Sequence, residues 1–381
     1  MANFWILLVA APLLPLQGAD LLPRIREKMA QILQRQPDYT CTETVERTRQ
    51  AVGGTARVED TLRLEVALVD GKEMFAWPGS KQFEDRELGD LVATGMFGNG
   101  NFAIYARILF LSDVAVFEDG GETQLNGLSV RRYDFRVSRS VSGSRLRNGK
   151  REGVAGFHGS FYADPMTLDV RRMEIAAEDI PADLGITAAE NSVDYGWLTI
   201  GDDAFLLPVE SKLMMATPDL VNRNWVRFAN CRKFTGESTL LFNDPVLTET
   251  PAPVPPKEVE IPAHLTLQLE MSGLDLIRAA VGDPVRAKLW ADVKNRGQLL
   301  APKGSVASGR IVRLDRSSGN FILQVEFQDL DWPGGHARLK LRFDQPAFST
   351  RLMGRLAGGD IMISRQAGTR LSGILMFWRT E

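Results

Sequence analysis

The run from Pro245 to Pro262, Pro-Val-Leu-Thr-Glu-Thr-Pro-Ala-Pro-Val-Pro-Pro-Lys-Glu-Val-Glu-Ile-Pro, constrains this chain more than any other stretch. Six of its residues are proline. Each fixes φ and removes a backbone donor, so the segment reads as an extended spacer and not as a helix or a central strand. It divides 381 residues, more than one hydrophobic core usually holds, into two modules. Charge follows the same division, because the part after Ala263 carries a net charge of about +6 and the part before it about −9. A basic second module fits either an acidic partner or surface, or simply a solvated face.

The first nineteen residues stand apart. Phe4 to Leu16 is apolar and Gln17-Gly18-Ala19 precedes the first acidic residue, Asp20, as in a secretory signal peptide cleaved near Ala19. An apolar run of about thirteen residues is short of the roughly twenty that a spanning helix needs. The segment carries no Lys or Arg ahead of the apolar run, which keeps an uncleaved anchor open as the alternative. The expected location is therefore periplasmic or secreted, with envelope association open. Export permits disulfides, and the only two cysteines, Cys41 and Cys231, lie near opposite ends of the first module. A bridge between them would close a loop worth on the order of 5 kcal/mol on the chain-entropy model. The alternative is two buried free thiols.

Apolar residues at Leu21, Leu22, Ile25, Met29, Ile32 and Leu33 have helical spacing behind Asp20, and Pro37 ends the segment. From Thr40 the texture becomes that of strands. Thr42, Thr44 and Glu46 alternate with Cys41, Glu43 and Val45, and Leu62, Leu64, Val66 and Leu68 alternate with polar residues up to a hairpin turn at Asp70-Gly71. Two helical segments follow, around Leu88, Leu91 and Val92 and from Phe102 to Leu111. The second is apolar on nearly every side and must be buried or touch something apolar. About ten strands with short turns, Asn126-Gly127 among them, then run to Phe242. The stretch from Arg139 to Arg151, with Arg145, Arg147, Lys150 and Arg151 among Ser and Gly, reads as a mobile basic loop.

This order of elements, an amphipathic helix and then a long antiparallel sheet with helices inserted midway, resembles the LolA-type outer-membrane lipoprotein carriers and their lipid-binding relatives. The likeness covers Asp20 to about Phe242 and is one of element order and size. It implies a curved half-barrel lidded by helices around an acyl-chain cavity, with Phe75, Trp77, Met96, Phe97, Phe102, Ile104 and Leu109 as candidate lining. Ordinary core is the other reading of those seven residues.

Beyond the spacer, Leu265, Leu267 and Leu269 alternate with polar residues as in a strand. Val281-Gly282-Asp283-Pro284-Val285-Arg286-Ala287, Leu300-Ala301-Pro302-Lys303-Gly304-Ser305 and Gly309-Arg310-Ile311 follow in succession. That succession resembles the C-terminal β domain of TrbI-type conjugal-transfer proteins over Ile261 to about Leu314. Gly282-Asp283 and Lys303-Gly304 would each supply a tight turn between strands of a small barrel. After Ala263 the chain lacks the roughly twenty-residue apolar run of a pore-lining helix, so the resemblance implies a docking domain and not a channel. A hairpin is expected around Trp332-Pro333-Gly334-Gly335.

Catalytic signatures are missing. The three histidines, His158, His264 and His336, have no metal spacing, and no G-x-S-x-G elbow occurs. The P-loop-like run from Gly143 to Lys150 is one residue too long and is followed by Arg151 where Ser or Thr must stand. No cofactor or metal is expected, and no stripe of basic and aromatic residues points to nucleic acid.

The fold expected is mainly β (α+β): an antiparallel open half-barrel with a helical lid at 20–244, a linker at 245–262 and a small β-barrel-like domain at 263–381. Two functions lead, ahead of a third, an enzyme using a carboxylate pair such as Glu178-Asp179 or Asp329 with Asp331. One is a non-enzymatic carrier or sensor of an apolar ligand, such as a lipid or acyl chain, with a module that docks to an envelope protein. The other is a structural adaptor of an envelope assembly with no small ligand. A peripheral membrane contact is left open by both.

Overall fold

The computed structural model describes residues 21–80, 83, 91, 96–98, 103–234, 257–271, 273–316, 319–346, 353–356 and 360–381. The expected signal peptide, Phe102, the strand at 238–242 and most of the proline-rich run lie outside them. The fold is mostly β, as the alternation of the sequence requires.

The first sheet has twelve strands. In chain order they are β1 (Tyr39–Ala51), β2 (Arg57–Val69), β3 (Lys72–Ala76), β4 (Met96–Gly98), β5 (Val116–Leu125), β6 (Leu128–Val137), β7 (Ser144–Asn148), β8 (Arg151–Ala163), β9 (Val170–Glu178), β10 (Ala188–Ile200), β11 (Asp203–Ala216) and β12 (Leu220–Lys233). They lie in the order β3-β2-β1-β12-β11-β10-β9-β8-β6-β5, with β4 and β7 attached beside β8. The first long strand thus pairs with the last, from Tyr39 opposite Lys233 to Ala51 opposite Leu220. Asp70-Gly71 and Asn126-Gly127 turn their hairpins with positive φ at both residues, the conformation that two-residue loops between twisted strands require.

Two helices cover part of one face. In α1 (Leu21–Arg35) the inward residues are Ile25, Met29 and Leu33, and in α2 (Ile104–Leu111) they include Tyr105, Leu109 and Phe110. They pack on Tyr133, Phe135, Phe157, Phe161, Met173 and Val193 of the sheet. This is an antiparallel half-barrel with helices packed on one face.

Arg139 to Arg151 departs from expectation. It is no free loop, because Ser144–Asn148 forms β7, paired with β8 on one side and β4 on the other, and Leu146 is buried. With Leu146 as its one apolar residue, a strand this short has too little alternation to be read locally.

The second sheet has ten strands. The chain runs through β13 (Lys257–Glu258), β14 (Thr266–Met271), β15 (Leu274–Asp275), β16 (Pro284–Leu289), β17 (Val293–Asn295), β18 (Gln298–Ala301), β19 (Val306–Arg316), β20 (Asn320–Trp332), β21 (Gly335–Arg338), β22 (Leu341–Pro346), β23 (Met353–Arg355), β24 (Ile361–Ser364), β25 (Arg370–Leu371) and β26 (Ile374–Thr380). β15 with β25 and β17 with β18 form separate two-stranded ribbons. The end of the proline-rich run is itself structured, since Lys257–Glu258 pairs in parallel with Gly335 and His336 of β21. Trp378, Phe327 and Phe343 stack edge to face in the centre of this module.

The two sheets share one apolar core. A single cluster runs from Tyr39, Val45, Leu62, Val66 and Phe228 of the first sheet to Leu267, Val285, Ile311, Phe327 and Trp378 of the second. Helices therefore cover the β5–β10 half of this face, and the second module packs against residues of β1, β2 and β12.

Candidate functional site

Three places on the molecule gather unusual chemistry, and each follows from where strand alternation points its side chains. The first is the junction between the sheets. Leu62 and Val281 form a parallel bridge, in which the Arg63 N–H donates to the Val281 carbonyl and the Val281 N–H to the Thr61 carbonyl, both at 2.8 Å. The Arg63 guanidinium donates to both Asp283 oxygens, at 2.7 and 2.5 Å, and to the Arg278 carbonyl. Gly282 between them has φ +98°, and a β-carbon there would stand 2.4 Å from the Arg63 carbonyl oxygen and 2.5 Å from the Trp77 ring. Only glycine combines that φ with so close an approach. Arg310 completes the junction with its guanidinium over Trp77. Gly282-Asp283, a turn by its sequence, serves as a clasp.

The second place lies on the inner face beneath the start of α2. On β1 the residues Tyr39, Cys41, Glu43 and Val45 point inward together, so Glu43 lies opposite Leu64 on one side and Phe228 on the other. Glu43 is 3% exposed, and its Oε2 has no hydrogen-bond partner among the described residues. Burial pushes its carboxyl up to about 8, helped by the charge of Glu73. Glu73, on β3, accepts hydrogen bonds at Oε1 from the N–H groups of Ala103 at 2.8 Å and Ile104 at 3.4 Å. It caps α2 from outside the helix, where Ala103 has no side chain to do so. Burial first, then the same Glu73 charge, raises the Tyr195 hydroxyl above its ordinary range. Tyr39 is raised by burial, Glu73 and Tyr195, against a lowering by Arg107. Glu43, Tyr39 and Tyr195 thus each feel the charge of Glu73 from within the covered face of the sheet. These groups can donate and accept hydrogen bonds.

The third place is on the opposite face, where a trough of about 700 Å³ crosses the sheet from β8 to β1. His158, Glu174, Glu190, Lys212, Arg223 and Trp225 line it. Its charges are of both signs, as on a solvated sheet face. Among the described residues no group of three or more His, Cys, Asp or Glu is placed to hold a metal ion.

Cys41 and Cys231 are bonded, with 4.1 Å between their α-carbons. A bulge brings them together: Thr40 pairs with Arg232 and Thr42 with Ala229, so that Asn230 and Cys231 both stand against Cys41. Asn230 absorbs the extra residue with φ +52°. The bridge joins the first long strand of the half-barrel to the last.

Of the seven candidate lining residues, those whose side chains are described divide between two clusters. Phe75 and Trp77 pack on the cluster shared with the second module, and Leu109 is fully buried in the cluster under the helices. Ile104 is half-buried at the start of α2. Met96 and Phe97 belong to β4, paired with Asn148 and Arg147, and Phe102 lies outside the described residues. Beneath α2 the packing is tight, with Tyr105 edge-on to Phe157 and Phe110 edge-on to Phe161. A void of about 10 Å³ by Tyr105, Leu146 and Asn191 is the size of one water molecule. Glu43 is the residue sequence reasoning passed over. Its signal was present, a carboxylate in register with Cys41 and Val45 on the apolar side of an alternating strand.

No family model matches the chain, and no curated protein matches it. Among solved structures it is similar to a DUF1329 family protein from Desulfovibrio piger, at 10% identity and a TM-score of 0.31, over 56% of this chain and 92% of that one. At that TM-score the likeness carries no argument about function. The TrbI-type resemblance of the second module gains no support from these comparisons. What the structure supports of the LolA-type resemblance is the architecture, a β half-barrel with helices packed on one face. No helix among the described residues is long and apolar enough to cross a membrane.

Proposed function

We propose that this chain is an exported cell-envelope protein that acts as a rigid, non-enzymatic adaptor, working through the outer surfaces of two sheets fixed on one core. One observation carries the reading: the face of the half-barrel beneath the helices and the second module is occupied by the chain's own side chains. Tyr105, Leu109 and Phe110 fill the space under α2, and Leu267, Val285 and Ile311 of the second module join the core behind β1, β2 and β12. Export is supported by the Cys41–Cys231 bridge, since such bonds persist in oxidising compartments. The signal-peptide pattern of the first nineteen residues agrees with it.

A carrier remains the second reading, favoured by Glu43. A buried acid with an unpartnered oxygen, within reach of the Glu73 charge, is what a ligand's polar end would meet, with its apolar end stabilised by about 0.8 kcal/mol per buried methylene. Native mass spectrometry of the whole mature chain, incubated with an extract of envelope lipids, separates the two. The adaptor keeps the mass of its polypeptide. A retained lipid-sized adduct of one per chain, lost on Glu43→Leu substitution in a variant that still folds, would replace the adaptor with the carrier.

A further inference from the structure

The second module carries a projection that neither reading uses. After β16 the chain leaves the large sheet, forms the ribbon β17–β18 and returns at Ser305. Asn295-Arg296-Gly297-Gln298 turns the ribbon, with Arg296 at φ +49° and Gly297 at φ +84°, so that a basic residue stands at the tip. The base is fixed. The Asp292 carboxylate accepts the Lys303 N–H at 2.9 Å, and the Lys303 ammonium lies 5.2 Å from the centre of the Trp290 ring.

Two large apolar side chains are left in solvent here, Trp290 at 48% and Leu299 at 51% exposure. Leu299 pairs with Lys294 across the ribbon, so both point to the same side. Arg286, Lys288 and Trp290 follow at two-residue spacing and are exposed together along one side of β16 and its end. Between residues 286 and 303 the chain has five basic residues, Arg286, Lys288, Lys294, Arg296 and Lys303, against Asp292 alone. Glu270, opposite Lys288 on β14, is the acidic neighbour from the adjoining strand. Residues 286–303 therefore carry five basic charges against one acidic, a net +4 of the second module's +6.

We infer that the Trp290–Lys303 projection is a docking surface for an anionic lipid bilayer. Aromatic and aliphatic side chains that enter the interfacial layer, surrounded by Lys and Arg that meet acidic headgroups, are the two attractions a peripheral protein combines. A soluble polyanion without apolar surface would use the charges and leave Leu299 in water, whereas the interfacial layer of a bilayer takes up both. The inference stands on the projection alone and not on the reading of the half-barrel.

Flotation of the mature protein with vesicles tests it. Vesicles of phosphatidylcholine alone are compared with vesicles in which about one-third of the lipid is phosphatidylglycerol, at low and at high salt. Binding at least about tenfold stronger to the anionic vesicles at low salt, and lost at high salt, is the expected result. The double variant Lys294→Glu, Arg296→Glu is expected to lose about tenfold or more of that binding. Trp290→Ala with Leu299→Ala is expected to weaken it severalfold with the charges intact. All four positions are exposed, and an unchanged circular dichroism spectrum confirms that the variants fold. Absence of binding to anionic vesicles, or equal binding to neutral ones, overturns the inference. So does binding that is salt-sensitive but indifferent to Trp290 and Leu299, which would assign the surface to a soluble polyanion.

Discussion

The Arg63 guanidinium grips both oxygens of Asp283, 220 residues further along the chain, at 2.7 and 2.5 Å. The pair is partly shielded, with side-chain exposures of 30% and 14%. It sits beside a backbone bridge that fixes both residues in place, so little side-chain entropy remains to be lost on forming it. A double-mutant cycle of Arg63→Ala and Asp283→Ala, read by urea denaturation, should give a coupling of about 1 to 2 kcal/mol. Additive single losses would show that the contact contributes nothing to the junction.

Gly282→Ala tests the same clasp through the backbone. The new methyl would meet the Arg63 carbonyl and the Trp77 ring at once, at a φ that an L-residue rarely adopts. A loss of roughly 2 to 4 kcal/mol is expected from strain and displacement combined. Wild-type stability in this variant would mean that the two modules separate by a small shift at no cost.

The bridge between Cys41 and Cys231 closes a separation of 190 residues. Reduction, or Cys41→Ser with Cys231→Ser, should lower stability by up to about 5 kcal/mol, chiefly by freeing the unfolded chain. Denaturation with and without a thiol reductant measures it. Because the bulge and the β1–β12 ladder hold the strands independently of the bond, the reduced protein should keep its far-ultraviolet spectrum in the absence of denaturant.

Glu43 predicts an unusual pH dependence. Its folded-state value of about 8 lies above the ordinary 4.5, so between those limits the folded protein holds a proton that the unfolded chain has released. Stability from this group is therefore complete below about pH 4.5 and is lost progressively as pH rises towards 8. The loss is on the order of 3 kcal/mol by pH 7. Glu43→Gln, which cannot ionise, should flatten that fall, as seen in denaturation midpoints from pH 5 to about 8. Parallel curves for the two proteins would mean that Glu43 is ionised in the fold.

The legible parts of this molecule were the local ones. Leu21 to Leu33 has a helical stripe, and Ile25, Met29 and Leu33 are its buried residues. Asp70-Gly71 and Asn126-Gly127 carry their turn type in two letters. Alternation along Leu62 to Leu68 placed those leucines and Val66 on one inward face. What depends on distant partners was closed to local reading. β7 is a strand because β4 and β8 flank it, and its own five residues hold one leucine. Gly282 looks like any turn glycine until Trp77 is found against it. Phe75 and Trp77 were apolar residues in want of a partner, and periodicity has no means of telling a ligand from a second module that supplies Val281 and Arg310.

The account rests on the two sheets having one core, and scanning calorimetry of the mature protein addresses that most directly. A single transition is predicted, with the calorimetric enthalpy equal to the van't Hoff enthalpy, and Gly282→Ala should lower its midpoint as a whole. Two separable transitions in the wild-type protein, with Gly282→Ala leaving both midpoints in place, would contradict it. The chain would then be two independent modules on a proline-rich tether.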